Sequence, residues 1–397
     1  MPFYPLINRR HFLKVAGAAT MGSILSPLHP VEAAVKPTPV PTRPFGRTGI
    51  DVSILSFGGS LHLPQLMLRQ AFKWGVTYWD TANSYMGGNS EQRIGKYLAA
   101  FPQDRKKIFL VTKSHAWSTE GMSADLDESL LRMNTDYVDL FFVHGISGID
   151  EMDDDKRRWG EKKKAEGKVR LFGFSTHSNM EQCLLSAAGL GWIDAIMMTY
   201  NYRLMDTDEM RRAVDACAEA GIGLTAMKTQ GGGSFRWAGD RAREITDRFV
   251  AKGFTEGQAK LKAVWENRQI ASICSEMPNM KLLMENVSAA LDRTRLSARD
   301  RQVLQRHARL TRSGYCAGCA RICESAVTAE VPIRDAMRYL MYGRSYGDRH
   351  RAAHHFQQIP EHTRQTMAVL DYSHAEQACP QQMAIGRLIR EGLIEFT

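Results

Sequence analysis

Four side chains of unlike chemistry stand where short apolar runs of the chain come to an end: Asp80, Tyr85, Lys113 and His144. A free phenol ionises at about pH 10, too high for ready proton exchange at neutrality. An ammonium beside it stabilises the phenolate and lowers that pKa, and a carboxylate beside the lysine keeps the lysine charged and in place. An imidazole can hydrogen-bond a carbonyl oxygen and orient it. Together the set suits protonation of a carbonyl oxygen while hydride arrives at its carbon. Taken singly, each residue has a plainer explanation, Asp80 as a helix cap and Lys113 as a solvated lysine. Four such types at the ends of consecutive apolar runs have no comparably plain account.

The second concentration of chemistry is in the cysteines. There are seven, an odd number that argues against a simple framework of paired disulfides. Cys316, Cys319 and Cys323 form a C-x2-C-x3-C run, and Cys379 stands much later, directly before Pro380. In a bacterial ferredoxin run the fourth cysteine precedes a proline and serves the other cluster. Three close cysteines and one remote Cys-Pro are therefore what a single iron–sulfur cluster needs. Four thiolates also suit a tetrahedral zinc ion, which remains the alternative. The wider gap between Cys319 and Cys323 leaves the cluster type open. Disulfides, permitted after export, usually join cysteines farther apart than x2. Cys183, Cys217 and Cys274 fall within helix or strand patterns and are expected as apolar filler. The stretch Arg349 to His355 holds three histidines, but it reads as a solvated basic helix face because no partner at ligand spacing stands nearby.

The elements that must position these groups alternate along the chain. Apolar, β-branched or aromatic runs lie at Val52–Phe57, Val76–Trp79, Ile108–Thr112, Tyr137–Val143, Val169–Phe174, Ile193–Thr199, Gly223–Met227 and Ile270–Ile273. Amphipathic stretches such as Gln65–Lys73, Ser90–Ala99, Ser123–Met133 and Asp154–Glu166 separate them. Strands divided by helices form a parallel sheet, closed or open. No G-x-G-x-x-G follows the first strand, and the strand count favours closure. The expectation is an α/β fold, a (β/α)8 TIM barrel over residues 45–295 with a mainly helical, cysteine-containing extension over 296–397. In such a barrel the chemistry sits at the carboxyl ends of the strands, where Asp80, Lys113 and His144 stand, with Tyr85 on the loop after the second strand.

Residues 1–34 read as an address. Arg9 and Arg10 precede Phe12, Leu13 and Lys14, an uncharged stretch runs from Val15 to Leu28, and Val31-Glu32-Ala33-Ala34 offers a cleavage site. Basic start, short apolar core and small-residue exit make a secretory signal, and the paired arginines make it look like the twin-arginine type. The apolar core is shorter than a membrane span, so no stable membrane insertion is expected. The partner would be the twin-arginine export machinery, the destination the periplasm, and the cargo a protein folded around its cofactor. Residues 35–44, rich in proline, read as an extended linker, with folded structure expected near Phe45. The 397 residues carry a net charge of +9, 44% hydrophobic and 24% charged residues. That is ordinary globular composition, and basic residues scattered among acids speak against nucleic acid.

Several dispersed blocks resemble the aldo/keto reductase family. Asp80-Thr81-Ala82-Asn83-Ser84-Tyr85 with Gly88-Asn89-Ser90-Glu91 and Ile94-Gly95 is similar to its signature. Arg47-Thr48-Gly49, Val111-Thr112-Lys113, Asp139 to His144, Gly167 to Arg170, Gly173-Phe174-Ser175 and Tyr200-Asn201 match its other blocks in order, from about Phe45 to about Leu291. The resemblance implies an NADP-dependent oxidoreductase acting on a small-molecule carbonyl such as an aldehyde, ketone or quinone. It makes Tyr85 the general acid, tuned by Lys113 and Asp80, with His144 orienting the carbonyl. It also implies NADP(H) bound without a Rossmann motif. Ser175 would touch the nicotinamide amide, and Lys228, Gly231, Gly232 and Gly233 would face the pyrophosphate. Asn279, Lys281, Glu285 and Asn286 would hold the adenosine end. Two positions depart from the pattern: Met197 stands where a glutamine often bonds the nicotinamide amide, and Met227 where an aromatic often stacks on it. The segment Val331 to Leu340 resembles the arm of family members that carry [4Fe–4S] sites, which implies ligation of such a cluster by Cys316, Cys319, Cys323 and Cys379. A second function class stays in view: an exported redox or binding module that keeps the barrel, with a metal site that carries electrons to a redox partner or ties down the arm.

Overall fold

The computed structural model describes residues 38–61, 63–232, 249 and 251–397. The expected signal segment, residues 35–37 of the expected linker and Gly233 lie outside the described residues.

The first strands, β1 (Thr42–Pro44) and β2 (Asp51–Ser53), pair antiparallel as a hairpin. Eight further strands follow: β3 (Leu55–Gly58), β4 (Tyr78–Asp80), β5 (Phe109–Ser114), β6 (Val138–Ile146), β7 (Val169–Thr176), β8 (Ala195–Thr199), β9 (Gly223–Met227) and β10 (Ile270–Glu276). Among the described residues these eight close into a barrel in chain order, with β10 pairing β3, and every pairing is parallel. The helices beside them are α1 (Gln65–Lys73), α2 (Asn89–Ala100), α3 (Thr119–Met133), α4 (Asp154–Ala165), α5 (Met180–Ala188), α6 (Asp208–Glu219), α7 (Glu256–Trp265) and α8 (Met280–Leu291). The barrel expectation holds, and so does the helical extension. The extension comprises α9 (Ala298–Leu310), α10 (Ala320–Glu324), α11 (Ile333–Arg344), α12 (Arg349–Gln358), α13 (Glu361–Val369), α14 (Ser373–Ala378) and α15 (Ile385–Phe396).

Strand periodicity explains which residues reach the interior. Successive strand side chains alternate between faces. Tyr78, Phe109, Val111, Leu140, Phe142 and Met197 form the apolar interior, while Trp79, Leu110, Phe141 and Val143 pack outward against the helices. Two residues beyond Tyr78, Val111 and Phe142, on the same inward phase, come Asp80, Lys113 and His144. The alternation that fills the barrel with hydrocarbon thus delivers an acid, an amine and an imidazole into one mouth. Helix starts are set by side-chain caps: Ser118 accepts from the amide of Gly121, Asp153 from Lys156, and Thr207 from Met210.

Folded structure starts earlier than the expected Phe45. Val40 is buried and its amide donates to the Trp74 carbonyl at 2.8 Å. Arg43 donates to the carbonyls of Trp265, Asn267 and Ile270 at 2.6, 3.2 and 2.8 Å, which docks the hairpin on the barrel. The last prolines of the expected linker are therefore extended, as their chemistry requires, but held in a hairpin. The extension has its own core of Ile333, Leu340, Phe356, Met367, Ile389 and Phe396. Among the described residues, no helix is long and apolar enough to cross a membrane.

Candidate active site and cysteine cavity

The structure brings Asp80, Lys113, Tyr85 and His144 together. The Lys113 ammonium lies 2.6 Å from the Asp80 carboxylate and donates to the Thr81 carbonyl at 2.7 Å. It stands 5.0 Å from the centroid of the Tyr85 ring. Tyr85 meets His144 edge to face, with centroids 5.5 Å apart. The loop carrying Tyr85 is tied to the neighbouring strand, since the amides of Thr81 and Asn83 donate to the carbonyls of Val111 and Lys113 at 2.9 and 3.0 Å. Below it, buried Glu91 accepts from Thr112 at 2.6 Å and from Arg132 at 3.2 Å, fixing α2 against β5.

Burial sets the protonation states. The Asp80 carboxyl is pushed above its usual range by burial, and the charge of Lys113 only partly offsets this. The Tyr85 phenol is raised well above its ordinary value, by burial first and then by the Asp80 charge. That corrects the expectation that Lys113 would draw the phenol pKa down, because the ammonium is already neutralised at close range by Asp80. Tyr85 is held as a protonated donor. His144 is held well below the histidine range by burial and then by the charges of His115, Lys113 and Arg338, so it is neutral at pH 7. Its buried Nδ1 has no hydrogen-bond partner.

A further residue joins this centre. His115 stacks on His144 with centroids 3.9 Å apart, and it is two positions beyond Lys113, a spacing that marks it in the sequence. Cys274 packs against the apolar interior of the barrel, as expected of filler, and burial, helped by the Asp80 charge, holds its thiol well above the ordinary range. Cys183 and Cys217 are core residues as expected.

The candidate cofactor residues are spread along the same face. Ser175 is buried, and its hydroxyl accepts from the Gly145 amide at 3.0 Å. Met197 is buried in the barrel interior and has no polar atom to offer an amide. Lys228 follows β9 with a left-handed φ of 54°, half-buried, and Gly231 has a φ of 55°. Among the described residues no carboxylate pairs with Lys228, so its charge beside two glycines is the chemistry that an anion such as a pyrophosphate takes. The ring of Tyr346 covers Gly232, where an added Cβ would lie 2.5 Å from it. Asn279 caps α8, accepting from the Leu282 amide at 3.0 Å, and Lys281 is exposed beside it. Glu285 is half-buried on the same helix, whereas Asn286 is turned inward, donating to the Ser275 hydroxyl at 3.0 Å. The donor set fits a dinucleotide at its charged stretch and at the helix start. Asn286 acts indirectly, by holding the end of β10.

The four expected metal ligands, more than fifty residues apart at their extremes, line one cavity. Cys316, Cys319, Cys323 and Cys379 border a small space of about 20 Å3, walled also by Ile333, Met337 and Ile385. All four are free thiols. Burial pushes Cys316 and Cys323 up to about 12 and Cys319 to about 11. Among the described residues no three His, Cys, Asp or Glu are gathered closely enough to hold a single metal ion. The cysteine loop is fastened to the barrel rim. The Gly318 carbonyl accepts from the Asn179 amide at 2.9 Å, and a Cβ on Gly318 would lie 2.2 Å from the His177 carbonyl oxygen. Its φ of 84° is a second reason for glycine there. Arg334, on the cavity wall, donates to the Ser147 hydroxyl at 2.7 Å and to that of Ser178. Of the three histidines after Arg349, His355 stacks on Tyr339.

Comparison with known proteins identifies the same core. The profile of the aldo/keto reductase family matches residues 64–282. The chain is similar to L-galactose dehydrogenase of Arabidopsis thaliana, 25% identical over 285 residues, covering 64% of this chain and 89% of that protein. It is 37% identical over 110 residues to methylglyoxal reductase YeaE of Escherichia coli, covering 27% of this chain and 37% of that one. In fold it is similar to aldo-keto reductase AKR11C1 from Bacillus halodurans, with a TM-score of 0.55 and 24% identity, covering 67% of this chain and 95% of that chain.

Proposed function

Because the chain belongs to the aldo/keto reductase family, we propose that it reduces the carbonyl group of a small molecule with NADPH as donor. The carrying observation is the convergence of Tyr85, Lys113, Asp80 and His144 in one barrel mouth. The dinucleotide would be held by Lys228, Gly231 and Gly232, by Ser175 at one end, and by Asn279, Lys281 and Glu285 at the other. When bound it supplies a hydride to the carbonyl carbon. The chain's own work is at the oxygen. Neutral His144 hydrogen-bonds that oxygen and orients it, and Tyr85, kept protonated, gives it a proton. Lys113, pinned by Asp80, stands 5.0 Å from the Tyr85 ring and helps to position it. The test is NADPH oxidation with a panel of aldehydes, ketones and quinones. Tyr85→Phe should lower kcat by about 10²–10⁴-fold, and undiminished turnover in that variant would end the reading.

The four thiols that line one cavity support the reading in which Cys316, Cys319, Cys323 and Cys379 would hold a [4Fe–4S] cluster, with zinc as the alternative. A cluster, when present, would store an electron or tie the arm in place. Thiols spread around a cavity suit a multi-atom cluster better than a point ion, which needs all four at about 2.3 Å. Brown colour that bleaches on reduction, with iron and sulfide at a four-to-four ratio, marks the cluster (about four of each per chain); colourless protein containing zinc marks the alternative. Export by the twin-arginine route to the periplasm is part of the same proposal, and loss of export when Arg9 and Arg10 are changed to lysine tests it.

A second reading is favoured by one feature, the Tyr346 ring over Gly232. It makes the chain a non-catalytic redox or binding module with the barrel retained. Absence of any NADPH binding, by fluorescence, with the metal site filled would favour it.

A further inference from the structure

The extension does more than carry the cysteines, for it lays a cluster of cations over the barrel mouth. Tyr342, on α11, is buried at the centre of this cluster. The Lys228 ammonium stands 5.0 Å from its ring centroid and the Arg351 guanidinium 4.2 Å. These cations come from three separate elements: the turn after β9, α12 and, with Arg338, α11 itself. Among the described residues, neither Lys228 nor Arg351 has a carboxylate within ion-pair distance. Arg338 pairs at one end with Asp335 at 3.0 Å, but its Nε is buried with no partner. The acid whose charge acts on both Lys228 and Arg351 is Glu276, at the end of β10 and bonded to Ser60.

Like charges gathered in a partly desolvated place repel, and without a counter-charge the arrangement is costly. The phenol of Tyr342 supplies part of the compensation, since the three cations draw its pKa below the ordinary tyrosine value despite burial. The cluster stands on the rim that carries the reacting groups, with Lys228 directly after β9 and against the Tyr342 ring. Its charges reach those groups, that of Arg338 at His144 and those of Tyr342 and Glu276 at Tyr85.

We infer that Lys228, Arg338 and Arg351, arranged around Tyr342, form an anion subsite built jointly by barrel and arm, which takes a carboxylate or phosphate of a ligand whose carbonyl or nicotinamide reacts at Tyr85. The inference rests on the carbonyl-reductase reading. It adds a substrate class, short carbonyl compounds that carry a negative group, and it gives the arm a role in recognition. The same anionic chemistry could come from the nucleotide's own phosphates.

The test uses the metal-loaded mature protein, with phenylglyoxylate and its methyl ester as a charged and neutral pair. The donors are NADPH and N-benzyl-1,4-dihydronicotinamide, which has no phosphate. If the substrate supplies the anion, Arg338→Gln or Arg351→Gln lowers kcat/KM for the keto acid relative to the ester by about tenfold or more, and Arg338→Lys restores part of the preference. If the nucleotide supplies it, the variants raise KM for NADPH by a similar factor and leave the phosphate-free donor's KM in place. Equal changes for all four combinations, or none, overturn the subsite. If the unaltered protein reduces neither substrate, the reductase reading fails and binding decides. Inorganic pyrophosphate or phenylglyoxylate should then raise Tm in the unaltered protein and not in Arg338→Gln. No rise in the unaltered protein overturns the subsite as well.

Discussion

Replacing Lys113 with methionine should cost stability in a way that depends on pH. Lys113 is 1% exposed and Asp80 3%, so the side-chain swap keeps the apolar stem but strips the one cation, among the described residues, within ion-pair distance of a buried carboxylate. It also removes the donor to the Thr81 carbonyl. Breaking one side of a buried pair costs about 3–5 kcal/mol, mainly because the other charge is left uncompensated. Asp80 can escape that cost by taking up a proton. Its pKa is already above the unfolded value in the intact protein, and losing the Lys113 charge, the leading influence that lowers it, raises it further. A raised folded pKa means that stability is fully present below the unfolded value of about 3.9 and is lost as pH climbs through the folded pKa. The deficit of Lys113→Met should therefore be largest near pH 8 and shrink toward pH 5. Urea denaturation of both proteins at the two pH values measures it. Adding Asp80→Asn to the variant should recover part of the loss at pH 8, since an amide needs no counter-charge. A deficit identical at both pH values, or an Asp80→Asn change that deepens it, would refute the account of the pair.

Further outcomes follow from single contacts. Gly318→Ala should loosen the arm from the barrel, costing about 1–3 kcal/mol for a strained positive φ and pushing a methyl into the His177 carbonyl; faster proteolytic cutting near residue 318 with the barrel intact would show it. Cys379→Ser should lower metal content per chain while the far-ultraviolet spectrum of the barrel is retained, whereas Cys217→Ser should leave metal content unchanged because Cys217 lies in the core between helices. Burial holds His144 and His177 well below the ordinary range and His307 at about 4. A depressed histidine pKa gives stability that is full above the unfolded value of about 6.5 and is lost as pH falls toward the folded one. Urea midpoints should thus decline between pH 6.5 and 4, and a flat profile there would contradict these burial assignments.

The barrel and its rim were legible because both follow from local rules. A strand's two-residue period is written in the chain, so Tyr78 with Asp80, Val111 with Lys113, and Phe142 with His144 announce a shared inward face before any coordinates exist. The protonation states were not legible, because they depend on how much solvent is removed. The chain shows that Lys113 and Tyr85 are rim candidates, but not that Asp80 sits at 2.6 Å and takes up the ammonium's charge, leaving burial to raise the phenol. The hairpin of Thr42–Pro44 was hidden for a related reason. Proline forbids donors but not edge pairing, and what anchors the segment is Arg43 reaching carbonyls over two hundred residues away.

The placement of the arm is the largest thing the sequence withheld, and its physics explains why. The cysteine spacing predicts a shared metal site but says nothing about where that site docks. Docking is decided by contacts between distant, unremarkable residues: Gly318 on the His177 carbonyl, Arg334 on Ser147 and Ser178, Tyr315 accepting from Asn201 at 2.9 Å. Once that loop is seated on the rim, α11 brings Arg338 and Tyr342 to the barrel mouth, and α12 follows with Arg351. The proposed metal site and the proposed anion subsite would thereby be coupled through the same attachment of arm to barrel. A change that empties the cysteine cavity should release the loop, and with it the cations beside Tyr85. Cys323→Ser should then weaken the preference for a charged over a neutral carbonyl compound even though Cys323 lines the cysteine cavity. If that variant, depleted of metal, keeps the full preference, the arm's position does not depend on its cysteines and the coupling is wrong.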